Sequence, residues 1–83
     1  MAIMKQGHLI NKINRLIPVA RAVSREEWDG DDVGIWFRGS EYLHGDFLVF
    51  NGYEVHPELD KILEEAGWMW EPQDMGTLMA YPN

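Results

Sequence analysis

The chain contains no cysteine, which excludes a disulfide framework, a CxxC redox pair and a thiolate zinc site. It has no apolar run near the ~20 residues of a membrane span, and its first residues lack the apolar stretch of a signal peptide. Neither GxGxxG nor GxxxxGK[ST] occurs, so phosphate-cradling loops are excluded and no cofactor is expected. With only 83 residues, a multidomain enzyme, a Rossmann domain and a TIM barrel are also ruled out. The expectation is one soluble, cytoplasmic domain over residues 1–83. A chain of this size buries only about 60% of its unfolded surface, so all elements must share one small core.

Basic residues are few, and they are unevenly placed. Residues 1–25 hold Lys5, Lys12, Arg15, Arg21 and Arg25 and no acid, a charge of +5. The remainder holds all fourteen acids against Arg38 and Lys61, a charge of −12, and the two parts together return the net −7. Such a body repels nucleic acid and anionic membrane and favours basic partners. One reading is intramolecular, with the basic helix lying across the acidic body. The other is that each surface faces a different partner.

Acidity peaks at Glu26-Glu27-Trp28-Asp29-Gly30-Asp31-Asp32, five carboxylates in seven residues around one indole. Like charges this close repel unless solvent or a cationic partner screens them. Asp29 and Asp31 alternate as in an EF-hand loop, but Val33 and Ser40 stand at the fifth and twelfth positions, where calcium needs oxygen ligands and a bidentate Glu. Calcium is therefore not the expected occupant.

Leu9, Ile10, Ile13, Leu16, Ile17 and Ala20 recur at helical spacing and predict a first helix with one apolar stripe. Pro18 either kinks that helix or ends it near Ile17, leaving residues 19–23 as an extended edge segment. Ser24 followed by Glu27 has capping-box spacing and suggests a helical turn at 25–28. Residues 33–38 (VGIWFR) and 47–50 (FLVF) read as strands, separated by a polar connection, Leu43-His44-Gly45-Asp46, in which His44 is expected to be exposed. Asn51-Gly52 suits a type I′ turn into a short strand at 53–55.

His56 as N-cap, Pro57 at the first position and Glu58 and Asp60 near the positive end predict a second helix. Its buried stripe is Leu59, Ile62, Leu63 and Ala66, and Gly67 closes it. Residues 68–70 and 77–81 flank a hairpin turn with Pro72, Asp74 and Gly76. The order α-β-β-(β)-α-β-β predicts an α+β fold: two layers, an antiparallel sheet of four to five short strands and two helices.

Catalytic signals are sparse. Ser24, Ser40 and Thr77 are the candidate nucleophiles, and neither serine stands in a GxSxG elbow. A small metal-dependent hydrolase would have to use His44, Asp46 and His56, whose spacing matches no helix-borne pair such as HExxH. A paired-carboxylate glycosidase needs a cleft that so short a chain can barely enclose. The protein is expected not to be an enzyme.

Four tryptophans, three tyrosines and three phenylalanines make up 12% of the chain. Most suit the core, but strand alternation prevents all of them from pointing inward. Trp28, set between carboxylates, is the one expected to be exposed, as an interface anchor for a basic surface. Lys5, Lys12 and Arg15 give the first helix a basic edge that could touch phosphates, but the acidic body opposes it. A membrane-surface helix is weaker again, because the apolar stripe is needed for the core.

This cysteine-free, acidic, Trp-rich profile, with its cluster from Glu26 to Asp32, resembles small phage-encoded inhibitors of host defence, the anti-CRISPR proteins among them. The resemblance covers bulk properties of the whole chain and no alignable motif, and it transfers no residue roles. It implies that carboxylates stand where a nuclease complex expects phosphates. The expected function is protein binding by a monomer or homodimer to a basic protein surface, such as that of a nucleic-acid-binding complex. Glu26, Glu27, Asp29, Asp31 and Asp32 are the charge carriers, Trp28 the anchor, and Glu64 and Glu65 a second tier. The alternative is a housekeeping interaction subunit that binds through an apolar, aromatic sheet face.

Overall fold

The computed structural model describes residues 3–83. The first helix, α1 (Gln6–Leu16), buries Leu9 and Ile13. It stops where Pro18 dictates: Ile17 leaves the helical region at φ −133° and ψ 72°, and a 3-10 turn, Pro18–Ala20, follows. Ile17 and Ala20 are buried, but Leu16, expected in the same stripe, is 40% exposed. Arg21 adopts a left-handed conformation (φ 49°) and redirects the chain into the edge strand β1 (Ala22–Ser24), so the extended segment expected over residues 19–23 is a strand only at its end, after the 3-10 turn.

One helical turn, α2 (Glu26–Asp29), then leads to β2 (Ile35–Phe37). The strand expected over 33–38 is shorter because Gly34 breaks it with φ 128°. The expected polar connection is instead half of a hairpin: β3 (Leu43–His44) pairs with β4 (Phe47–Leu48) as a separate two-stranded sheet. The strand expected at 53–55 reduces to one bridge, Phe50 to Val55. The I′ turn does not form. Asn51 and Glu54 flank the loop through a 3.1 Å backbone bond, and the Asn51 side chain accepts from the Tyr53 and Glu54 amides.

The second long helix, α3 (Pro57–Glu65), begins as its sequence indicates, with the His56 side chain accepting from the Glu58 amide, and Gly67 follows it at φ 77°. The hairpin β5 (Trp68–Asp74) and β6 (Thr77–Pro82) completes a four-stranded antiparallel sheet in the order β1-β2-β6-β5. The fold is α+β, with three α-helices rather than two and a second small sheet among the described residues.

Register assigns the two sheet faces. Ala22 pairs with Phe37 and Phe37 with Leu78, while Ile35 pairs with Ala80 and Ala80 with Trp70. This face joins the buried residues of α1 and α3 in one core cluster. The opposite face carries the row Val23, Trp36, Met79 and Glu71, with Tyr81 beside Met69. Met79 is only 1% exposed yet lies outside the core cluster, so its own side of the sheet buries it.

Candidate functional site

The acidic segment leaves β1 at Ser24 and rejoins the sheet at Gly34, and Gln6 of α1 holds both ends. Its amide nitrogen donates to the Ser24 hydroxyl (3.2 Å), and its carbonyl oxygen accepts from the Gly34 amide (2.9 Å). A further backbone bond joins Arg25 N–H to the Gly34 carbonyl at 2.9 Å. The capping box is only half realised. Ser24 accepts from the Glu26 amide (3.2 Å), one residue before the expected partner.

Arg25 organises the turn. Its guanidinium donates twice to Asp29 Oδ2, at 3.0 and 2.7 Å, and lies 3.7 Å from Asp31. Asp29 Oδ1 accepts from the Asp31 amide and Asp31 Oδ1 from the Val33 amide, two successive turns that pull backbone amides under the carboxylates. The hydrogen bonds from Arg25, then that from the Asp31 amide, hold the Asp29 carboxyl below its ordinary range. Bonding to Asp29 in turn raises the guanidinium above its ordinary value.

The five acids therefore divide by role. Asp29 and Asp31 are spent on Arg25 and on the turn itself. Glu26, Glu27 and Asp32 are exposed and make no ion pair among the described residues. Trp28 is 45% exposed and stands edge-on to Trp36, with ring centroids 4.9 Å apart. The Arg38 guanidinium lies 5.6 Å from the Trp36 centroid, and that of Arg25 lies 5.3 Å from Tyr81. Trp28 thus links the acidic turn to the aromatic, outward face of the sheet.

Glu64 and Glu65 are exposed on the last turn of α3, which packs on β5. The acidic turn packs beside β1, at the other edge of the sheet, so these two acids do not extend it. The basic first segment does not lie across the acidic body through ion pairs. Of its five cations only Arg25 forms one among the described residues, and it does so within its own turn.

His44 and His56 do meet, with ring centroids 5.1 Å apart. Both are already engaged: His44 Nε2 lies 2.9 Å from Glu58 Oε2, and His56 Nδ1 accepts from the Glu58 amide. His44 is half-buried rather than exposed. Asp46 and His56 share a groove of about 230 Å³, but no group of three His, Cys, Asp or Glu side chains among the described residues gathers as a metal-ligand set. Ser40 is 2% exposed, and its hydroxyl donates to the Gly76 carbonyl at 2.7 Å.

No family model matches the chain, and no curated protein or solved structure is significantly similar to it. No helix among the described residues is long and apolar enough to cross a membrane. What the site offers is a fixed acidic turn with a presented indole. Gln6, whose bonds span 18 and 28 positions, was not anticipated from the sequence, nor was the role of Arg25. The i, i+4 spacing of Arg25 and Asp29 was the available signal for the latter.

Proposed function

We propose that the chain is a non-enzymatic protein-binding module that seats Trp28 on a basic protein surface and surrounds it with carboxylates. The observation carrying this reading is a large indole left 45% exposed on a turn whose Glu26 and Glu27 also face solvent. An anchoring Trp of this kind typically contributes 2 kcal/mol or more when truncated, about 30-fold in affinity. Rim carboxylates contribute chiefly to encounter rate and specificity. The nucleic-acid-binding surface of a host-defence complex is the partner class that the bulk profile favours. Glu26, Glu27 and Asp32 would occupy positions that phosphates normally fill. The non-enzymatic reading is supported by the engagement of Ser40, His44 and His56 in structural hydrogen bonds.

A second reading uses the outer sheet face, with Met69 48% exposed and Val23, Trp36 and Tyr81 half-buried. The Trp28–Trp36 contact joins the two surfaces, so variants must separate them. The test is affinity capture from a bacterial lysate with the wild-type chain, with Glu26→Gln/Glu27→Gln/Asp32→Asn, and with Met69→Glu. Loss of basic partners in the triple variant alone supports the charged reading. Loss in Met69→Glu alone supports the sheet reading. Capture unaffected by either contradicts both.

A further inference from the structure

The β3–β4 hairpin presents its apolar side chains to solvent. Leu43 is 57% exposed, Phe47 63% and Leu48 41%. They line a groove whose charged groups are the carboxylates of Asp46 and Glu54, with no Lys or Arg. Exposed apolar side chains concentrated in six residues are an interface signature rather than scattered surface.

The first segment has the opposite character. Leu16 is 40% exposed at the end of α1, one turn after Lys12 and next to Arg15. Neither cation forms an ion pair among the described residues. The 3-10 turn that follows Leu16 packs beside β3, so the chain leaves the end of α1 directly toward the hairpin, on whose side of the fold Leu16 ends its helix. A surface with cations on one side and carboxylates on the other is complementary to itself under two-fold rotation, because the same patch serves both subunits.

We infer that the hairpin groove is a homodimer interface, with the Leu16 edge of α1 in one copy seated on Leu43, Phe47 and Leu48 of the other. Lys12 and Arg15 then face Asp46 and Glu54 across the contact, twice per dimer. A standard interface takes about 800 Å² from each partner, and the chain exposes 5117 Å² in all. The proposed contact draws on both the hairpin and the end of α1, and association is sought in the weak range, about micromolar to millimolar.

Sedimentation equilibrium on the full chain, from about 10 μM to about 1 mM, tests this. The mass should rise from the monomer's 9.6 kDa toward twice that value. Phe47→Glu and Leu16→Glu should each weaken association about 10-fold or more. Both sites are exposed, and circular dichroism verifies that each variant folds. Lys12→Glu/Arg15→Glu and Asp46→Lys/Glu54→Lys should each be monomeric alone and form a heterodimer when mixed. A wild-type chain that stays monomeric throughout would overturn the inference, leaving a foreign basic segment as the groove's occupant. So would a dimer indifferent to Phe47→Glu and Leu16→Glu, or charge-reversed variants that fail to pair on mixing. None of these variants touches the acidic turn, so the outcome is independent of the partner-binding proposal.

Discussion

Trp28 stands edge-on to Trp36, with ring centroids 4.9 Å apart and planes inclined at 62°. This contact fixes a one-turn helix that has no buried residue of its own to hold it on the sheet. Aromatic pairs of this geometry contribute about 0.5–1.5 kcal/mol beyond burial. A double-mutant cycle of Trp28→Ala and Trp36→Ala, read by urea denaturation, should return a coupling in that range. Additive effects would mean that the indole is not anchored by its neighbour.

The Arg25–Asp29 pair gives a pH dependence with a definite sign. Asp29 is depressed in the folded chain, so the unfolded chain binds its proton more readily. Its stabilisation is complete well above the ordinary carboxylate value of about 3.9 and is lost as pH falls through the lower folded value. Arg25, raised further, stays charged throughout. Melting temperatures from pH 6 down to about pH 2 should fall less steeply for Asp29→Asn than for wild type. Equal slopes would mean that the pair is broken in solution.

Asn14 ties α1 to the edge strand. Its side chain donates to the Ala22 carbonyl at 2.8 Å and accepts from the Ala22 amide at 2.7 Å. Asn14→Ala should cost about 2 kcal/mol, since it leaves both backbone groups without this partner. Asn14→Asp keeps the acceptor but sets a carboxylate against the Ala22 carbonyl, so it should not rescue. Denaturant titration of both variants measures this.

Two glycines should respond oppositely to alanine. A Cβ on Gly39 would stand 1.6 Å from the Val19 carbonyl oxygen, so backbone must move, and Gly39→Ala should cost about 3 kcal/mol. Gly7, inside α1, has nothing within 4 Å of that position, and Gly7→Ala should stabilise by about 0.5–1 kcal/mol. Thermal melts of the two variants should shift in opposite directions.

What could be read from the sequence was what neighbouring residues determine. The break at Pro18, whether kink or end, the His56 cap, the Leu59–Ile62–Leu63 stripe and the final hairpin each depend on residues a few positions apart. β4 falls within the strand expected over 47–50, but its partner β3 was not legible, because a two-residue ladder leaves no alternation to count and His44-Gly45-Asp46 looks like any polar loop. The turn shifted at Asn51 because its side chain accepts two amides at once, which favours one residue's displacement over a type I′ conformation. The charge segregation suggested an ion-paired helix and body, yet Lys12 and Arg15 find no carboxylate among the described residues. Composition sets the charge of a segment, while topology decides what faces it.

The salt dependence of affinity for a captured partner tests the central claim most directly. Dissociation constants for the wild-type chain and for Glu26→Gln/Glu27→Gln/Asp32→Asn are compared between about 0.1 M and 1 M salt, where the Debye length falls from about 10 Å to 3 Å. Wild-type binding should weaken strongly with salt, and the triple variant should start weaker and change little. Parallel slopes for the two chains would contradict an acidic turn that recognises a basic surface.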